Sequence, residues 1–127
     1  MTIYTWEHIH LRSPDPAMTA QWYEDKLGAE IIRTPQPDGS TRYDLNLTGQ
    51  KIFIAKADPT STGASPKTPY MGLDHFGLTV DDIDAAVTEL KGKGVPFTMD
   101  PTTIRPGVRI AFLTAPQNVS IELIQRG

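Results

Sequence analysis

Apolar and polar positions along this chain follow two different periods, and the order in which the periods alternate occurs twice. Residues 3–12 mix aromatic and β-branched side chains and predict a strand. Ser13-Pro14-Asp15-Pro16 then stops that strand and starts a helix, with Asp15 as N-cap and Pro16 in the first helical position. Ala20, Tyr23 and Leu27 recur at helical spacing, and Gly28 ends the helix. A short strand is expected over 29–33 and a turn at Pro37-Asp38-Gly39. Tyr43, Leu45 and Leu47 alternate with polar partners, as do Ile52 and Ile54 after Thr48-Gly49-Gln50, which predicts a hairpin.

From 58 to 72 the chain turns to Pro, Thr, Ser and Gly, the composition of a linker or mobile loop. The same order then returns. A strand is expected over 73–80, and Asp81-Asp82 opens a helix whose apolar stripe is Ile83, Ala86, Val87 and Leu90. Gly92 and Gly94 close it, a short strand follows over 96–99, and a turn at Arg105-Pro106-Gly107 leads to strands over 108–113 and 119–125. Superposing His8 on His75 places Leu11 on Leu78, Asp15 on Asp82, Ala20 on Val87 and Tyr23 on Leu90 without a gap. Such a repeat outranks any single residue as evidence of organisation. The expected fold is α+β within a single domain: two paired βαβββ modules, about 1–57 and about 73–127. They should form a curved mixed eight-stranded sheet around a cleft, with the helices outside.

Composition narrows the chemistry. With 127 residues, 39% apolar and 21% charged, the chain suits one soluble globular domain. A net charge of −3 argues against nucleic acid as a partner. No apolar run approaches the roughly 20 residues of a membrane span, and the first residues lack a signal-peptide pattern, so a cytoplasmic protein is expected. The absence of cysteine excludes thiolate ligands and thiol nucleophiles, leaving His, Asp and Glu as possible ligands.

In a strand alternate residues share a face. If Ile9 and Leu11 face the helix layer, His8, His10 and Arg12 face away from it, as do His75 in the second half and Glu122 in the last strand. A Glu inside Val-Ser-Ile-Glu-Leu-Ile needs a partner if the sheet curves into a cavity. Two imidazoles and a carboxylate would provide one with a divalent metal between them, and the repeat places His8 and His75 at the same point of both copies. His10 then suits general acid–base work or a structural hydrogen bond. Arg12 can hold a carboxylate or phosphate, or simply end a strand in solvent. Asp44 and Asn46 should face the cleft to select substrate hydroxyls or to be solvated, while Trp6 and Phe53 would wall a pocket or pack the sheet.

Three segments carry a resemblance to a known family: Glu-His-Ile-His-Leu-Arg-Ser-Pro-Asp with Trp22-Tyr23-Glu-Asp-Lys-Leu-Gly28, then Leu73-Asp-His-Phe-Gly-Leu-Thr-Val-Asp-Asp, then Ala115-Pro-Gln-Asn-Val-Ser-Ile-Glu-Leu-Ile. Over nearly its whole length the chain resembles the vicinal oxygen chelate superfamily of glyoxalases, epimerases, extradiol dioxygenases and antibiotic-resistance proteins. The resemblance implies a small substrate chelating a metal through neighbouring oxygens, and commonly a homodimer. It also implies four ligand positions, of which His8, His75 and Glu122 match three. The fourth falls near Phe53, which cannot ligate, although Gln50 or a water can complete the set. Two His and one carboxylate with open positions suit Fe(II), with Mn, Ni or Zn possible. The leading expectation is therefore a mononuclear iron dioxygenase of the extradiol type. A non-redox isomerase, lyase or transferase and a metal-free antibiotic-binding protein are the alternatives.

Overall fold

A computed structural model describes residues 1–127 and divides them into two compact units, Met1–Ala64 and Ser65–Gly127. The first contains β1 (His8–Ser13), α1 (Pro16–Leu27), β2 (Glu30–Pro35), β3 (Thr41–Leu47) and β4 (Gln50–Lys56). The second contains β5 (His75–Thr79), α2 (Ile83–Gly92), β6 (Phe97–Arg105), β7 (Val108–Ala115) and β8 (Val119–Arg126). Each unit is one mixed four-stranded sheet, ordered β1-β4-β3-β2 and β5-β8-β7-β6. The first strand runs parallel to the last, and the remaining pairs are antiparallel. The repeat in the sequence is thus a repeat of topology.

The helix boundaries follow from side-chain chemistry. Asp15 accepts from the Met18 amide at 3.2 Å and Asp82 from the Ala85 amide at 3.1 Å, so each helix starts on a carboxylate cap. Gly28, at φ 71°, closes α1 in the left-handed conformation and donates to the Glu24 carbonyl. One further tie was not expected: the Ser13 and Thr19 hydroxyls bond each other in the interior at 2.7 Å and pin the end of β1 to α1.

Each helix packs on one face of its own sheet, α1 chiefly on β3 and β4, α2 on β6 and β7. The buried residues are those the alternation assigns to that side: Tyr23, Leu45, Ile52 and Ile54 in the first unit, Ile83, Leu113, Ile121 and Leu123 in the second. Fully burying a side chain of this size stabilises by about 1.5–3 kcal/mol, so these faces hold the units together. No helix is long and apolar enough to cross a membrane.

Three strand boundaries differ from expectation. The strand expected over 3–12 begins only at His8, because β1 pairs with β4 in the register His8↔Lys51 and the chain before Lys51 bends into the Thr48-Gly49 turn. Residues further upstream have nothing to pair with, and Ile3, Tyr4 and Trp6 are exposed. β5 likewise begins at His75, opposite Ser120, because the 3₁₀ turn Pro116–Asn118 precedes β8. β6, expected over 96–99, runs on through Pro101 to Arg105. It is a sheet edge with register shifts against β7, where a proline costs no ladder hydrogen bond.

The Tyr23 side chain is completely buried and its hydroxyl has no hydrogen-bond partner. Burial pushes its phenol well above the ordinary 10.0. Tyr23→Phe is therefore expected to raise unfolding stability by about 1 kcal/mol, by removing an unsatisfied buried donor. The fold excludes the phenolate while the unfolded chain accepts it, so wild-type stability is undiminished below pH 10 and falls above it. Urea melts at pH 7 and pH 10.5 check both points: the gap between variant and wild type should widen at the higher pH.

Candidate functional site

The face of each sheet away from its helix carries the candidate chemistry. In the second unit His75 and Glu122 share that face, one strand apart, in the register His75↔Ser120 and Gly77↔Glu122. His75 Nε2 lies 3.2 Å from Glu122 Oε1, and the imidazole Nδ1 lies 2.8 Å from Asp74 Oδ2. Asp74 is itself held by the Thr68 hydroxyl and the Tyr70 amide. The Thr68 hydroxyl, and after it the His75 ring, keep the Asp74 carboxyl below the usual carboxylate range. The His75 ring also stands edge-on to Phe112, centroids 4.9 Å apart. Gly77 lies beside the acid, and a Cβ there would make ordinary van der Waals contact with Glu122 Oε1 at 3.7 Å.

The first unit repeats half of this arrangement and replaces the other half. His8 Nδ1 meets Glu7 Oε2 at 2.9 Å, as His75 meets Asp74, and Glu7 also takes the Lys51 ammonium at 3.2 Å. The register His10↔Phe53 matches Gly77↔Glu122, so Phe53 occupies the place that Glu122 has in the second unit. Instead of meeting a carboxylate, His8 stacks on Phe53 with centroids 4.2 Å apart. His10 meets the same ring edge-on at 6.5 Å. The acid of this face lies one strand over: Asp44 pairs with Phe53 across β3 and β4, where the second unit pairs Phe112 with Glu122.

The remaining expected residues are placed as follows. Arg12 is exposed and lies on the His8 face of β1 by alternation. Asp44 sits on the expected face but engages Arg42, its Oδ2 lying 2.9 Å from the guanidinium Nε. Asn46 accepts from the Gly49 amide at 2.7 Å, so its carbonyl braces the β3–β4 turn and only its amide group is left for a ligand. Gln50 falls on the alternate parity with Ile52 and Ile54, opposite in direction to Phe53. Trp6 precedes β1 and is 76% exposed.

Within neither unit do three His, Asp or Glu side chains gather into a group that could hold a metal ion. The second unit brings two of the three expected ligands together, His75 and Glu122, and the first carries the third, His8. The donor chemistry fits a divalent ion: a carboxylate on Nδ1 leaves Nε2 as the donor atom and fixes ring orientation, the usual outer arrangement of a ligating His. Sequence reasoning missed Glu7 and Asp74. The signal was present as an acid immediately before the same His in both repeats.

Comparison with known proteins agrees with this architecture. Residues 5–123 match the model of the Glyoxalase/Bleomycin resistance protein/Dioxygenase superfamily. YaeR of Escherichia coli is 30% identical over 94% of this chain and 94% of its own length. A probable lactoylglutathione lyase of Synechocystis is 28% identical over 93% of this chain and 92% of its own. Among solved structures, the fosfomycin resistance protein FosX of Listeria monocytogenes superposes with a TM-score of 0.75 at 19% identity, covering 97% of this chain and 93% of FosX. This chain belongs to the glyoxalase/bleomycin resistance protein/dioxygenase superfamily.

Proposed function

We propose that the chain is a divalent-metal-dependent enzyme acting on a small molecule chelated through two neighbouring oxygens, and that it is a mononuclear Fe(II) dioxygenase of the extradiol type. The observation that carries this reading is the convergence of His75 Nε2 and Glu122 Oε1 at 3.2 Å with Nδ1 already taken by Asp74. His8 would be the third ligand, from the same chain or from a second copy. Phe53 in the fourth place supports a three-ligand set with open positions, which suits ferrous iron. When bound, the ion would supply Lewis acidity toward the chelated oxygens.

The chain's own residues do the rest. His10, the one histidine with no counterpart in the other unit, is the candidate to hold or move a proton on the substrate oxygens. The Phe53 ring offers an apolar surface for an aromatic substrate. Arg12 and the free amide of Asn46 are candidate contacts for its polar substituents.

The similarity to a probable lactoylglutathione lyase favours a second reading, a non-redox lyase or isomerase with Mn, Ni or Zn, in which a water completes the set, since Gln50 points to the other face. Elemental analysis of anaerobically purified protein, followed by oxygen-uptake assays on catechols, separates the two. About one equivalent of iron with oxygen consumption is expected. Full activity with zinc and no oxygen would overturn the dioxygenase in favour of the lyase. No metal after reconstitution would overturn both and leave a metal-free binding protein.

A further inference from the structure

Arg42 lies on the same face of β3 as Asp44, two residues away, and two contacts hold its guanidinium in place. Its Nε sits 2.9 Å from Asp44 Oδ2, and its central carbon lies 4.9 Å from the centroid of the Phe53 ring. The Phe53 ring is the one on which His8 stacks. Only Nε is engaged, so the two terminal nitrogens keep their four N–H donors free. The side chain is 47% exposed, whereas its anchor Asp44 is 14% exposed. In the second unit the equivalent position on β7 is Ile110, so this guanidinium has no structural counterpart.

An Arg–Asp pair in solvent contributes only about 0–1 kcal/mol to stability, which gives the fold little use for it. A guanidinium fixed by an acid on one edge and a ring on one face is instead ready for a planar anion on its open edge. That edge matches a carboxylate bidentately. Asp44 sets one negative charge beside the guanidinium, which favours a singly charged carboxylate over a doubly charged phosphate.

Resting on the proposed function, we infer that the substrate carries a carboxylate apart from its chelating oxygens, and that Arg42 is the residue that binds it. Asp44 is then a positioning residue for Arg42 and makes no direct contact with substrate hydroxyls. His8 and Arg42 both lie against Phe53, so the spacing between the chelated oxygens and the carboxylate is set by one aromatic ring.

The test uses full-length protein loaded with Fe(II) under anaerobic conditions, titrated calorimetrically with catechol and with 3,4-dihydroxybenzoate. Wild type should bind the carboxylated ligand more tightly. Arg42→Gln should lose about 10- to 100-fold in affinity for it while catechol affinity stays within about twofold, and Arg42→Lys should recover part of the loss. Equal affinities in wild type, or equal losses for both ligands in Arg42→Gln, would overturn the inference and leave the chelation reading standing. Iron-loaded protein that binds neither ligand would overturn the chelation reading, and this inference with it. A melting curve for each variant confirms folding, since Arg42 is half-exposed and outside the core.

Discussion

His75→Ala is expected to abolish stoichiometric binding of a divalent ion while leaving the fold intact. The imidazole is 32% exposed on the sheet face away from α2, and the packing that holds the unit together, Ile83, Leu113, Ile121 and Leu123, is on the other face. Truncation therefore opens no core cavity, and the stability change should stay within about 1.5 kcal/mol, the scale of a lost hydrogen bond. For the metal the loss is large. The variant removes one donor atom of the proposed set, His75 Nε2, which lies 3.2 Å from Glu122 Oε1. Removing an outer partner of a ligand typically costs 10- to 100-fold in affinity, so losing the ligand itself should exceed about 100-fold. Elemental analysis of the variant beside wild type, with melting curves for both, checks the two halves of the statement. Equal metal content in both proteins would remove His75 from the ligand set.

The second large effect is expected one residue earlier. Asp74→Ala should weaken metal binding by about 10- to 100-fold without touching a ligand. Asp74 accepts a hydrogen bond from His75 Nδ1 at 2.8 Å and is itself held by Thr68 and Tyr70, so it transmits the geometry of the 65–74 segment to the His75 ring. Asp74→Asn should be milder, because a carboxamide oxygen still accepts from Nδ1 but carries no charge. Glu7→Gln should be milder again, since Glu7 is 60% exposed and solvent can replace its bond to His8. Competition against a chromophoric chelator measures all three affinities, and an unchanged value for Asp74→Ala would rule out the positioning role.

Much of this was legible in the order of residues. Asp15-Pro16 and Asp82 announce helix starts because their side chains bond the first free amides, a local effect that needs no tertiary context. The alignment of His8 with His75 correctly implied one topology used twice, and alternation alone puts His75 and Glu122 on one face, as the β5–β8 register does. What could not be read depended on partners distant in sequence. β1 starts at His8 because of where β4 turns, and β6 survives Pro101 only because it is an edge. Nothing in the sequence singles out Arg42. Its meaning rests on Phe53 and Asp44 meeting it across the hairpin.

The split between the two faces of each sheet also bears on how such a protein can change. Substitutions at His8, His10, Asp44, Phe53 or Glu122 fall outside the helix-side core, so a lineage can exchange them without approaching the threshold below which the fold fails. The two halves of this chain already differ in one such way. An acid and an aromatic ring occupy adjacent strands in opposite order, Asp44 and Phe53 in one copy against Phe112 and Glu122 in the other, on the same topology. One topology used twice thus offers two separate faces, and the side chains on each can differ without a change in the sheet beneath.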